Sequence, residues 1–90
     1  MIYEIIILPT ADKDIRALKK NEQQAYKKVM KFIAELQIHP TIGTGHPKPL
    51  SGDRTGQWSR RITDKHRLVY EIEEELIVRV LAAWGHYNDK

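Results

Sequence analysis

A chain of 90 residues has room for one domain around one core, and 41% apolar with 30% charged residues supports a folded soluble protein and excludes a disordered one. Cysteine is absent, so disulfides and thiolate metal sites are excluded and packing must supply the stability. Fifteen Lys and Arg against twelve Asp and Glu leave a formal charge of +3 and a pI near 9.3, a balance compatible with a polyanionic partner.

The first apolar run, Ile5-Ile6-Ile7-Leu8-Pro9, is too short for the apolar part of a secretion signal, and no stretch approaches a membrane span. A cytoplasmic location without membrane contact is therefore expected. Tyr3 to Leu8 predicts a strand, and its unbroken apolar character predicts burial on both sides, near the middle of a sheet. Thr10 is the expected cap of a helix from Ala11 to Lys20 that buries Ile15 and Leu18, with Asp12 and Asp14 in its first turn and Lys19 and Lys20 in its last. Asn21 is the expected cap of a longer helix from Glu22 to about Ile38, where Ala25, Val29, Phe32, Ile33 and Leu36 form an apolar stripe. So short a link predicts an antiparallel helix hairpin lying on one sheet face.

His39-Pro40 ends the second helix, and Thr41 to Pro49, with two glycines and two prolines, predicts a loop leading into a short extended piece at Lys48 to Ser51. Gln57 to Ile62, Arg67 to Glu73 and Leu76 to Ala83 then read as strands. Their tight links require an antiparallel meander, with Leu68, Tyr70 and Ile72 facing the helices. The whole, residues 1 to 90, is a single α+β domain of order β-α-α-β-β-β-β. Between His46 and Arg67 the charge is mainly basic, from Lys48, Arg54, Arg60, Arg61, Lys65 and Arg67, and acidic Glu71, Glu73, Glu74 and Glu75 follow.

Four motifs stand in order: Gly45-His46-Pro47-Lys48-Pro49-Leu50, Gly56-Gln57-Trp58-Ser59-Arg60-Arg61-Ile62-Thr63, His66-Arg67-Leu68-Val69-Tyr70, and His86-Tyr87. In these, and over nearly its whole length, the chain resembles the YoeB (Txe) branch of the RelE superfamily of bacterial toxins. The resemblance implies a RelE-like fold and a ribosome-dependent mRNA endonuclease that cuts the codon in the 30S A site. It also implies neutralisation by a YefM-like antitoxin, the toxin being monomer or homodimer within that complex. Carried over residue by residue, it implies Arg67 as transition-state stabiliser, His86 and Tyr87 as the terminal catalytic pair, and Arg61 as a substrate contact. Two departures are visible. Lys48 stands where that branch has a glutamate general base, and Asn88-Asp89-Lys90 follow a tyrosine that is usually terminal.

Cleaving RNA without metal or cofactor needs a group to take the 2′-hydroxyl proton, positive charge on the phosphorane and a donor for the departing 5′ oxygen. Arg61 and Arg67 suit the second task because guanidinium forks match phosphate geometry. His86 suits the third, since an unperturbed imidazole titrates near pH 6.5. Tyr87 can stack on a base or bond a phosphate, or simply close the sheet edge. A lysine base must first lose a proton, which at an ordinary pKa of about 10.4 costs about 4.6 kcal/mol at pH 7. Lys48 is therefore expected either as the base or as a neutralising charge with His46 taking the proton, the two lying on one side if the segment is extended. Trp58 and Tyr70 are expected to pack, His66 to belong to a turn and His39 to a helix end. Trp84 is left between a wall of the site and an antitoxin contact. Two other functions remain open: an antitoxin-binding regulatory module without catalysis, and a gyrase poison of the ParE type.

Overall fold

The structure is a computed structural model and describes residues 2–74 and 76–85. Strand β1 (Glu4–Ile7) is followed by helices α1 (Pro9–Asn21) and α2 (Gln23–Leu36), then strands β2 (Lys48–Pro49), β3 (Gln57–Arg61), β4 (Arg67–Glu73) and β5 (Ile77–Ala82). A short 3-10 turn at Gly52–Arg54 lies between β2 and β3. The expected element order holds. The five strands form one sheet in the order β1-β5-β4-β3-β2, antiparallel except where β1 lies parallel to β5.

That parallel pairing overturns the expectation for the first strand, because β1 is an edge and not a central strand. A parallel neighbour requires a long connection, and the helix hairpin and the meander between them supply it. The apolar run has only one covered side: Ile5 packs on the core, whereas Ile6 and Ile7 are exposed. Two caps also differ from expectation. Pro9 occupies the first position of α1, where its missing N–H costs nothing, and Leu8 takes the cap position. Thr10 instead donates its hydroxyl to Leu81 O at 3.0 Å, tying α1 to β5. Asp14 reaches the same region and accepts from the Ala83 amide at 3.0 Å. Glu22, not Asn21, stands at the cap position of α2, and its side chain is used elsewhere.

The core forms where the helix stripes meet the sheet. Ala11, Ile15 and Leu18 of α1 and Ala25, Val29, Phe32 and Leu36 of α2 pack with Leu68, Tyr70, Val78 and Val80. Both helices cover one sheet face. Since side chains alternate along a strand and cross-strand partners share a face, Trp58, Arg60, Leu68 and Tyr70 lie toward the helices. Lys48, Ser59, Arg61, Arg67, Val69 and Glu71 lie on the opposite face.

Candidate nucleic-acid site

On the helix-free face Lys48 is the cross-strand partner of Ser59, and Arg61 is the partner of Arg67. These cations therefore come from three successive strands spaced about 4.8 Å apart. Ser59 and Val69 form a buried floor between them. Like charges directly opposite one another destabilise a sheet, so the Arg61 and Arg67 pairing needs compensation. Arg61 Nη2 meets Asp64 Oδ1 at 2.8 Å, and Arg67 Nη1 donates to Thr63 O at 2.9 Å and His66 O at 3.3 Å. The Asp64 side chain is 94% exposed, so its ion pair is weak and can yield to a phosphate. Both of these hydrogen bonds use Nη1, leaving the rest of the Arg67 fork without a partner among the described residues.

Farther along the face the charge is neutralised. Arg79 pairs with Glu73 at 2.8 Å and with Glu71 at 3.8 Å, so two carboxylates of the acidic stretch that follows Arg67 are engaged within the sheet. Among the described residues of this face, Lys48, Arg61 and Arg67 thus gather at one end, away from the paired Arg79. Gly85 reaches this end as well: its carbonyl accepts from the Arg67 amide at 3.0 Å. His86, Tyr87 and the Asn88-Asp89-Lys90 extension lie outside the described residues.

The loop before β2 is fixed from below by a residue to which the sequence assigned no role. Arg60 is completely buried and its guanidinium holds Glu35 Oε1 at 2.6 Å, His39 O at 2.7 Å, Ile42 O at 3.0 Å and Thr44 O at 3.3 Å. Its Nε donates to the Tyr70 hydroxyl at 3.2 Å, which in turn donates to Pro40 O at 2.7 Å. Burial pushes the Tyr70 phenol pKa up, keeping it protonated for that role. The loop then closes on Gly45, whose φ of +81° and approach to Phe32, 2.6 Å from where a Cβ would stand, admit only glycine. Gly45 O accepts from the Arg61 amide at 2.7 Å, which sets His46 and Lys48 beside β3.

His46 is exposed with φ of +52°, in the left-handed region. The condition for His46 and Lys48 to share a side, an extended segment, is therefore not met at His46, and regular pairing begins only at Lys48.

Burial pushes the Glu35 carboxyl up, but the Thr44 hydroxyl at 2.7 Å, the Thr44 amide at 3.1 Å and Arg60 outweigh it and hold its pKa below the ordinary value. A depressed carboxylate stabilises the fold above its unfolded pKa, about 4.3, and loses that contribution as pH falls through the folded value. Stability is accordingly expected to drop below about pH 4.3. In Glu35→Gln the neutral-pH stability should be lower and the acid slope shallower, as read from urea midpoints between neutral and acid pH. An unchanged slope would remove Glu35 from the linkage.

His66 lies at the end of the β3–β4 turn, as expected, but is buried with both ring nitrogens engaged, by Glu22 at 2.9 Å and the Gly85 amide at 2.8 Å. Trp84 packs against it in a tilted arrangement with ring centroids 4.5 Å apart, which gives that tryptophan a packing contact. The turn pattern alone predicted none of this, because Glu22 is 44 residues distant.

Residues 9–87 match the family of YoeB-like toxins of bacterial type II toxin-antitoxin systems. A toxin YoeB of Streptomyces coelicolor is 41% identical over 68 residues, 76% of this chain and 80% of that protein. A toxin YoeB of Escherichia coli K12 is 35% identical over 69 residues, 77% of this chain and 81% of that protein. Among solved structures, a YoeB/ParE toxin from Agrobacterium tumefaciens superposes with a TM-score of 0.88 at 29% identity, covering 93% of this chain and 99% of the other. The toxin in a YoeB-YefM complex from Staphylococcus aureus superposes with a TM-score of 0.81 at 27% identity, covering 97% of this chain and all of the other.

Proposed function

The chain belongs to the YoeB-like toxins of bacterial type II toxin-antitoxin systems, and from that premise we propose that it is a ribosome-dependent mRNA endonuclease. The observation that carries the proposal is the convergence of Lys48, Arg61 and Arg67 on the helix-free face, with Gly85 bonded to the Arg67 backbone. The chain thus enters His86-Tyr87 from a residue joined to the strand that bears the principal arginine.

In the proposed reaction a base removes the 2′-hydroxyl proton and the 2′ oxygen attacks the adjacent phosphorus. Arg67 and Arg61 hold the charge of the phosphorane, and His86 protonates the departing 5′ oxygen. The products are a 2′,3′-cyclic phosphate and a free 5′-hydroxyl. Tyr87 contacts the base or phosphate beside the cut. Lys48 takes the proton, or remains charged and neutralises phosphate while His46 takes it. Docking on the ribosome uses the same cationic end and should weaken steeply with salt. A YefM-like antitoxin is the proposed inhibitor, as in the S. aureus YoeB-YefM complex, and the site of action is the cytoplasm. Among the described residues no helix is long and apolar enough to cross a membrane.

The test is cleavage of mRNA on programmed ribosomes, with purified toxin on naked RNA beside it. Cutting within the A-site codon on ribosomes, and near inertness without them, is the expected result. Equal cutting of naked RNA would contradict ribosome dependence, and intact mRNA with blocked DNA supercoiling would favour a gyrase poison.

Lys48→Glu separates the two roles at position 48. Activity retained or raised is expected if Lys48 holds the place of the base, because an ordinary carboxylate is already deprotonated at neutral pH. Abolished cleavage in an otherwise folded variant would make the lysine purely electrostatic.

A further inference from the structure

We propose that His66 is a positioning residue that holds the backbone from which His86 and Tyr87 depart, an inference that rests on the nuclease function above. The ring is 2% exposed and has polar partners on both sides. Nδ1 accepts from the Gly85 amide at 2.8 Å, and an amide N–H can only donate, so the ring proton resides on Nε2. Nε2–H then donates to Glu22 Oε2 at 2.9 Å. The tautomer follows from the bonding partners. This hydrogen bond is the principal reason the Glu22 carboxyl lies below its ordinary pKa, with Lys65 nearby adding to the effect and burial opposing it. Because Glu22 lies between the two helices, the relay ties the helix hairpin to the far end of the sheet.

Gly85 is held from its other side too. Its carbonyl accepts from the Arg67 amide, so consecutive residues His66 and Arg67 grip both polar backbone groups of one glycine. Gly85 has φ of +74°, in the left-handed region that glycine adopts readily. The Trp84 ring lies against the imidazole, tilted by 46°. One of the gripping residues also carries the guanidinium assigned to the phosphorane. His66 therefore fixes Gly85, the residue that precedes His86 in the sequence, in the frame of that arginine, and small displacements at such a site cost about a hundredfold in rate.

Two variants separate positioning from simple packing. In His66→Asn the amide oxygen can stand near the former Nδ1 and keep an acceptor for Gly85. In His66→Gln the amide nitrogen can stand near the former Nε2 and keep a donor for Glu22, while the acceptor for Gly85 is lost. Single-turnover cleavage on programmed ribosomes should fall about tenfold or more in His66→Gln, with ribosome affinity unchanged, and stay near wild type in His66→Asn. Nuclear magnetic resonance of the wild type should also show a coupling across the hydrogen bond between Gly85 nitrogen and His66 Nδ1.

Equal rates in wild type and both folded variants, or equal losses in both, would overturn the positioning role. If a variant fails to fold, the wild-type coupling decides, and its absence overturns the clamp. A wild type that shows the coupling but cuts no mRNA would instead defeat the nuclease function and leave the clamp standing.

Discussion

Arg67→Ala is expected to lower single-turnover cleavage on programmed ribosomes by at least about a hundredfold, the usual scale for losing a donor to the transition state. Two features separate this from a folding defect. The amide that binds Gly85 O belongs to the backbone and survives the substitution. The side chain's own contacts are to two carbonyls of the β3–β4 turn, and these can be hydrated once the guanidinium is gone. The melting temperature should therefore change little while the rate collapses. Arg67→Lys should recover part of the activity, since it restores a charge without the planar fork. Arg61→Ala should cost less, because Arg61 is already shared with Asp64 and is half exposed. An unchanged cleavage rate in Arg67→Ala would remove this residue from the site.

The neighbouring arginine should give the opposite outcome. Arg60→Ala is expected to destabilise the fold by about 3 kcal/mol, the lower end for breaking a buried ion pair, because one edge of Glu35 still reaches water. Beyond Glu35, the substitution strips donors from three loop carbonyls and from the Tyr70 hydroxyl. Against a total stability of about 5 to 15 kcal/mol for an ordinary domain, that loss is large. Arg60→Lys should recover little, since one ammonium cannot span five acceptors arranged around a flat fork. The prediction is checked by urea denaturation: the midpoint should fall with its slope unchanged. A midpoint equal to wild type would show that the buried network contributes nothing. Any loss of cleavage in this variant should vanish at low temperature, where enough protein is folded, apart from what the loosened His46 to Lys48 loop accounts for.

Arg60 and Arg61 illustrate how far the amino-acid sequence reached. Both belong to one motif, and alternation along a strand requires that they face opposite sides. Which of them is buried depends on the side the helices take, and that is decided by contacts with α2 far away in the chain. The resemblance singled out Arg61, and the sheet register sets it opposite Arg67 on the open face. The meander and the helix hairpin were legible because their periodicities are strong and their links short. The edge position of β1 was not, since a continuous apolar run reads as burial on both sides even when only one side is covered. The backbone turn at His46 was not legible, because left-handed backbone at a residue between glycine and proline leaves no trace in hydrophobic pattern. His66 was recognised as a turn residue, yet its burial and its bonds to Glu22 and Gly85 join segments that no local pattern connects.

The central claim is that the cationic face assists attack by the RNA's own 2′-hydroxyl. It is tested most directly with programmed ribosomes carrying an mRNA in which the nucleotide on the 5′ side of the cut is replaced by its 2′-deoxy form. Wild-type toxin should leave that message intact while cutting the all-ribose message to a 2′,3′-cyclic phosphate end. Cleavage of the deoxy-substituted message at the same position and rate would contradict the mechanism.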